Sequence, residues 1–362
     1  MMKKAFITLF CMFAFSGSAL SEIDNSERLE LVSRDLSKPW SMVFISNNEL
    51  LVTEKAGSLR LIELDTKRQH LIKDVPNVSE YGQGGLLDIV LHPQFEVNQW
   101  IYLSYSKRDN NGIGTEVLRA KLIDGRLTQH ALIFKQLPKL SSDHHFGSRL
   151  AFDQQGFLFI SLGDRGEKEQ AQVKNHHIGK IIRLNDDGSI PIDNPFSINP
   201  SFAPEVYSYG HRNVQGLAFN AKTQTLWAHE HGPQGGDELN KISAGKNYGW
   251  PIITYGVNYF TGTKIGEGTY QDGMEQPIYY WVPSIASSGM AFCDCEKYPR
   301  WKNSLFIGSL KFSTLVRLQF NQDKVVSEER FFKGIGRVRD VKVSPDGLLY
   351  LLADQSLYRV KH

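Results

Sequence analysis

Short apolar runs, each closed by a turn of Pro, Asn, Asp or Gly, recur along the chain, and long 3.6-residue apolar periods are missing. The runs are rich in β-branched and aromatic residues, so they read as strands joined by turns. One arrangement returns six times: an apolar strand, a turn, and a second apolar strand. The copies are SMVFISNNELLVTE from Ser41, LDIVLHPQFEVNQWIYLSYS from Leu87 and RLAFDQQGFLFISLGD from Arg149. They continue with GLAFNAKTQTLWAHEHG from Gly216, GMAFCDCEKYPRWKNSLFIGSLK from Gly289 and DVKVSPDGLLYLLAD from Asp340. Further strand-like stretches, GSLRLIEL and STLVRLQF, follow the first and fifth copies. A four-stranded unit repeated at this spacing is a propeller blade. The pattern predicts an all-β fold, a six-bladed β-propeller with four-stranded antiparallel blades, as a single domain over residues 22–362. The last copy ends near the C-terminus, so an N-terminal strand is expected to complete the last blade and remove the open sheet edges. Residues 164–206 and 232–285 lie between copies, are rich in Gly, Pro and Asn, and read as functional loops.

The first residues, MMKKAFITLFCMFAFSGSALSEID, have a different character. Lys3 and Lys4 precede an apolar stretch from Ala5 to Phe15, and Ala19-Leu20-Ser21 offers a small-x-small cleavage site. Residues 1–21 read as a secretory signal peptide, too short for a membrane span. The mature protein is expected to be periplasmic or secreted, without a membrane span, and a monomer. The chain has 362 residues, 41% of them hydrophobic and 22% charged, with a formal net charge of +2 and no block of like charge. Nothing in that balance suggests a nucleic-acid partner. Cys293 and Cys295 remain after cleavage; they form a small disulfide or stay as two loop thiols, and two ligands are too few for structural zinc.

In a propeller, the loop entering each innermost strand and the loop leaving the second strand lie on one face. Those loops carry Gln83 between glycines, His144, His145, His211, Arg212, Asn213, Asp164, Arg165, Lys311, Arg337 and Arg339. Arg212, Lys311, Arg337 and Arg339 should therefore converge at the channel mouth beside one or two histidines. Cations so gathered repel unless an anion joins them, and a small polyanion fits. Taken singly, each has a blander explanation: Arg339 pairs with Asp340, and Arg165 with Asp164. In HGPQGGDELN, the carbonyls of Gly232 and Pro233 can face a hard cation, and Asp237 or Glu238 can add a carboxylate; the alternative is a turn with exposed acids. His229 and His231 share a strand face but lack further zinc ligands.

The ordered motifs GQGGLLD, HFGSRLAF, SLGDRG, GHRNVQGLAF, EHGPQGGDELN, NYGWP and GRVRDV resemble the soluble pyrroloquinoline quinone (PQQ)-dependent aldose sugar dehydrogenases, relatives of soluble quinoprotein glucose dehydrogenase. The resemblance spans nearly the whole mature chain. It implies PQQ and calcium as cofactors, an aldose substrate oxidised at C1 to the lactone, and electrons passed to an external acceptor. It implies His145 as the general base, four residues before Arg149. It further implies Arg212 and Asn213 against cofactor and substrate, Gln83 beside substrate and base, and Lys311, Arg337 and Arg339 on the cofactor carboxylates. Gly232 and Pro233 would ligate calcium through their carbonyls, and Glu238 with the Tyr248 carbonyl would hold a second, structural calcium. His144 departs from the acidic residue of the glucose-specific relatives, which points to the broader aldose branch. Two other functions compete: a six-bladed metal-dependent lactonase, for which the inner-strand loops offer no evident carboxylate set, and a non-catalytic sugar- or protein-binding propeller.

Overall fold

The computed structural model describes residues 21–23 and 28–362. The expected signal peptide falls, apart from Ser21, outside the described residues. No helix among the described residues is long and apolar enough to cross a membrane.

The strands form six sheets. Their first strands are Pro39–Phe44, Leu86–Leu91, Leu150–Phe152, Val214–Asn220, Ser287–Cys293 and Val338–Val343, taken below as the starts of blades 1 to 6. Each of the six sequence copies supplies the first two strands of one blade. The first strand of every blade packs on the first strand of the next, and the sixth packs on the first, so the ring is closed. Closure is made as expected: Leu29–Ser33 pairs antiparallel with Ser356–Val360 and completes blade 6. Blade 5 departs from the four-strand pattern. It gains a fifth strand, Ser21–Ile23, parallel to Glu329–Phe331.

The apolar core is distributed around the ring, one cluster at each blade–blade contact. Between blades 1 and 2, for example, Leu51 and Leu59 meet Leu86 and Ile101. A second strand therefore has neighbours on both faces, and Leu50, Leu51 and Val52 are all fully buried. This explains why second strands read as unbroken apolar runs rather than alternating ones. The outermost strand Arg126–Lys135, which has a solvent side, keeps many exposed positions.

The two long inserts are not wholly loops. The first contains strand Lys180–Leu184 and runs into strand Val206–Tyr209 at its end, and the second contains Asp237–Ile242 and Tyr279–Trp281. Lys180–Leu184 is buried throughout although its sequence, KIIRL, has a cation at two of five positions. The Lys180 ammonium is solvated there by the carbonyls of Gln170, Ala171 and Ile178 at 3.3, 2.9 and 2.6 Å. Cys293 and Cys295 are disulfide-bonded.

One buried ion cluster ties the inner strands together across the axis. Arg149 Nη1 meets Asp88 Oδ1 at 3.2 Å and Asp340 Oδ1 at 3.3 Å. Its Nε donates to Gln215 O at 2.8 Å, and its Nη2 to Arg339 O at 3.2 Å. Asp340 Oδ2 accepts the Met42 N–H at 3.0 Å, and Asp88 Oδ2 accepts Leu150 N–H at 2.7 Å. Blades 1, 2, 3, 4 and 6 are thereby linked. Blade 5 contributes space: a Cβ on Gly289 would lie 1.8 Å from Asp340 Oδ1. The cluster corrects two points. Asp340 pairs with Arg149, not Arg339, because adjacent strand residues face opposite ways. The two inner-strand carboxylates that a lactonase would turn to a metal are present, but their oxygens hold a guanidinium.

Candidate active site

Above this cluster a cleft of about 230 Å3 opens at the channel mouth, lined by residues of all six blades. Trp40 lines it, and the Arg149 guanidinium lies over the Trp40 ring, 4.0 Å from its centroid. Arg337 and Arg339 line it, as do Asn213, Gln83 and His231. Lys55 lines it too, leaving blade 1 just after the second strand. Among the described residues, no carboxylate lies within ion-pairing distance of Lys55, Arg337 or Arg339. Burial, with Arg149 and Arg337 close by, pushes Arg339 down to about 10, so it stays charged at neutral pH. Burial also lowers Lys55, with Arg339 and Lys38 reinforcing and Glu80 opposing. Lys311 is placed differently. Leu310 lines the cleft, whereas Lys311 is exposed, its amine 5.4 Å from the Phe312 ring.

His145 immediately precedes the lining residues Phe146 and Gly147, and its backbone N–H bonds the lining residue Gln83. The HFGS turn takes left-handed backbone at His145 (φ 53°), Gly147 (φ 64°) and Ser148 (φ 76°). Such conformations at non-glycine residues cost energy and persist where surroundings impose them. Here Gln83 Oε1 accepts the His145 N–H at 2.8 Å, Asn213 Oδ1 accepts Gly147 N–H at 3.3 Å, and Ser161 O accepts Ser148 N–H at 2.6 Å. His145 Nδ1 lies 2.6 Å from Asp164 Oδ1. Asp164 is buried and also accepts Gly166 N–H at 2.8 Å and Trp250 Nε1–H at 2.8 Å. Burial alone would raise the Asp164 carboxyl; the His145 bond, Arg212 and the Gly166 N–H outweigh it and hold it below its usual range. An ionised Asp164 accepts only, so Nδ1 carries the imidazole proton and Nε2 keeps its lone pair. Burial pushes His145 down to about 4, against the Asp164 bond and together with Arg212. The ring is thus neutral near pH 7 and able to accept a proton at Nε2.

His144 takes a separate path. Its Nδ1 meets Asp143 Oδ1 at 2.9 Å, and its ring stands edge-on to His145, centroids 4.6 Å apart. Arg165 does not pair with Asp164. Its guanidinium donates to the carbonyls of Ser142, of His144 at 2.8 Å and of Ile113 at 2.9 Å, and stacks on Phe146.

Beside the cleft, sharing His231, lies a small void of about 10 Å3 lined by Arg212, Gly232, Glu230, Glu238 and Tyr248. Arg212 Nη1 donates to the carbonyls of His231 at 3.0 Å and Gly232 at 2.9 Å. The loop around Gly232 and Pro233 is compact: Gly232 N–H donates to Asp237 Oδ1 at 3.0 Å, and a Cβ on Gly232 would meet the Gly235 carbonyl at 2.2 Å. Burial and the nearby Glu230 and Asp237 push the Glu238 carboxyl up to about 8. Asn240 Oδ1, next to it, is buried without a donor.

The model of the Glucose / Sorbosone dehydrogenase family matches residues 36–360. The chain belongs to this family. Aldose sugar dehydrogenase YliI of Escherichia coli (strain K12) is 43% identical over 357 residues, covering 97% of this chain and 95% of that protein. Quinoprotein glucose dehydrogenase B of Acinetobacter calcoaceticus is 28% identical, covering 93% of this chain and 87% of that one. The soluble aldose sugar dehydrogenase of Escherichia coli in its apo-form matches with a TM-score of 0.86 at 41% identity, over 91% of this chain and 97% of that chain. The PQQ-bound aldose sugar dehydrogenase of Streptomyces coelicolor matches with a TM-score of 0.77 at 28% identity, over the same shares. The chain is an oxidoreductase of the sugar dehydrogenase type.

Two features of the site were not drawn from the sequence: Lys55 in the cleft lining and the partners of Asp164. Lys55 follows a second strand and so sits in the same-face loop class; the loop rule applied to blade 1 would have found it. Asp164 lies within SLGDRG, but its bonds to His145 and Trp250 join three segments far apart in the chain, and no local spacing announces that.

Proposed function

We propose that this protein oxidises aldose sugars at C1 to the lactone, using PQQ and calcium and passing electrons to an external acceptor. The carrying observation is the His145–Asp164 pair, bonded through the His145 N–H to the lining residue Gln83, beside a cleft whose cations have no carboxylate partner among the described residues. Those cations fit a polycarboxylate: Arg337, Arg339 and Lys55 match carboxylates as donors, and Asn213 adds a neutral polar group. The Gly232 and Pro233 carbonyls are oxygen donors of the kind calcium takes. The Gly232 carbonyl retains a lone pair beyond its Arg212 bond. The neighbouring void is lined by Glu238 and Tyr248, and Asn240, whose amide nitrogen donates to Glu238 Oε2 at 3.3 Å, has an unpartnered amide oxygen; these oxygen acceptors suit a hard cation held by Glu238 and Tyr248. When bound, PQQ supplies the two-electron acceptor, with calcium as the Lewis acid that activates it.

The chain's own groups do the rest. His145 Nε2 takes the proton of the sugar C1 hydroxyl, while the C1 hydrogen leaves with its electron pair, so alcohol becomes lactone carbonyl. Asp164 holds the imidazole tautomer and stabilises the imidazolium that forms. Gln83 fixes the His145 backbone and stands in the cleft for the sugar hydroxyls, and Arg212, stacked 5.3 Å from the Trp250 ring centroid, places positive charge beside the reacting centre. Export by residues 1–21 would place the reaction in the periplasm or outside the cell.

Two results are expected. Protonated Nε2 cannot accept, so kcat/KM of the protein loaded with PQQ and calcium should fall on the acid side near pH 4 rather than near 6.5. Binding of PQQ in the presence of calcium, followed by calorimetry, should weaken in Arg339→Gln by roughly 10- to 100-fold, the worth of a charged hydrogen bond. Unchanged affinity would show that the cleft cations do not hold the cofactor.

A further inference from the structure

Trp250 has no part in the chemistry just described, yet its indole reaches the partner of the base. The ring is buried, and Nε1 donates to Asp164 Oδ2 at 2.8 Å. Asp164 Oδ1 is already engaged by His145 Nδ1 and by Gly166 N–H. The indole is thus the donor that holds the second oxygen. A carboxylate anchored only at Oδ1 can turn about its Cβ–Cγ bond; one anchored at both oxygens cannot.

Trp250 is itself fixed from three sides. Its N–H donates to Gly210 O at 2.9 Å, and its carbonyl accepts Gln172 Nε2 at 2.7 Å. Gln172 ends the short 3-10 turn Lys168–Gln172, whose Gln170 and Ala171 carbonyls accept the buried Lys180 ammonium. Over the ring lies the Arg212 guanidinium. The chain from Lys180 to His145 runs through directional hydrogen bonds, part-buried at Gln172 and at His145 and buried where the indole meets Asp164.

We propose that Trp250 is a positioning residue for the base: its indole N–H anchors Asp164 Oδ2, and through Asp164 it holds His145 with the proton on Nδ1 and the lone pair on Nε2. The inference deepens the assignment of His145 and rests on that reading for its catalytic consequence.

The expected direction follows from charge. The charged and titratable groups around His145 are Asp164, Arg212 and His144, with Asp143 bonded to His144 behind them. Among the first three, Asp164 is the one that favours the imidazolium; Arg212 and His144 oppose it. Each hydrogen bond to a carboxylate draws off part of its charge. Without the indole N–H, a buried Asp164 oxygen loses its partner and the carboxylate attracts the His145 proton more strongly. The net change makes His145 easier to protonate.

Trp250→Phe tests this, because phenylalanine keeps a ring under Arg212 and removes the N–H. The His145 imidazole resonance, assigned by its loss in His145→Asn, is titrated by NMR in the full cofactor-free chain. Its midpoint should rise by about one pH unit, the equivalent of one lost hydrogen bond. In the protein loaded with PQQ and calcium, the acid limb of kcat/KM should rise by the same amount. A folded Trp250→Phe protein with an unmoved NMR midpoint overturns the proposal. A raised NMR midpoint with an unmoved kinetic limb upholds the positioning and instead overturns His145 as the base. Should Trp250→Phe fail to fold, Gln172→Ala frees the Trp250 carbonyl and keeps the N–H. It should raise the midpoint in the same direction by less, and no rise there also overturns the proposal.

Discussion

His145→Ala is expected to lower turnover with any accepted aldose by about 100- to 10,000-fold, the usual worth of a positioned general base. PQQ affinity should stay at the wild-type level. The separation follows from geometry. The imidazole is held by Asp164 and by its own backbone bond to Gln83, whereas the cations that fit the cofactor lie elsewhere in the cleft, on blades 1 and 6. His144→Ala is the control. That ring is paired with Asp143 and carries no bond to Asp164, so its loss should leave most of the turnover in place. If His144→Ala abolished turnover and His145→Ala did not, the base would be the other member of the pair. Stopped-flow reduction of the bound cofactor distinguishes a lost proton acceptor from slow reoxidation.

Arg149→Leu should produce the second large effect, on stability. Arg149 is buried between Asp88 and Asp340, themselves fully buried, and its remaining donors satisfy carbonyls of blades 4 and 6. Removing the guanidinium leaves two buried carboxylates facing each other without the cation that bridges them. Breaking such a pair typically costs about 3–5 kcal/mol. Urea unfolding should show a midpoint lowered accordingly, with impaired ring closure visible as early proteolysis. A loss below about 1 kcal/mol would mean that the axial cluster is incidental to closure. Its proximity to Trp40, which lines the cleft, predicts that any surviving protein also binds PQQ more weakly.

Arg149 also shows where sequence reasoning stops. The strand repeats were legible because blades need apolar runs at regular spacing, and second strands buried on both faces make those runs conspicuous. The third strands inside the inserts were hidden, since Lys180–Leu184 carries cations that only tertiary carbonyl contacts make tolerable. The same-face rule placed His145, Arg212, Asn213, Arg337 and Arg339 around one mouth; Asn213, Arg337 and Arg339 line the cleft, Arg212 lines the adjoining void, and His145 directly precedes the lining residue Phe146. It said nothing about depth, so Arg149, four residues from the base, was linked to the active-site motif although it points into the channel and closes the ring. Lys311 illustrates the converse: it sits in the right loop class but faces solvent, while Lys55 supplies a cleft cation from an equivalent loop. The partners of Asp164 remained unseen because hydrogen bonds between distant segments leave no periodic trace.

The most direct test is reconstitution of the purified protein with PQQ and calcium, followed by its absorption spectrum before and after a panel of aldoses, with dye reduction measured in parallel. The account predicts stoichiometric, calcium-dependent quinone binding, a spectral change to the reduced cofactor on adding sugar, and lactone as product. Failure to bind PQQ in the presence of calcium would contradict it, and binding without reduction by any sugar would favour a non-catalytic propeller.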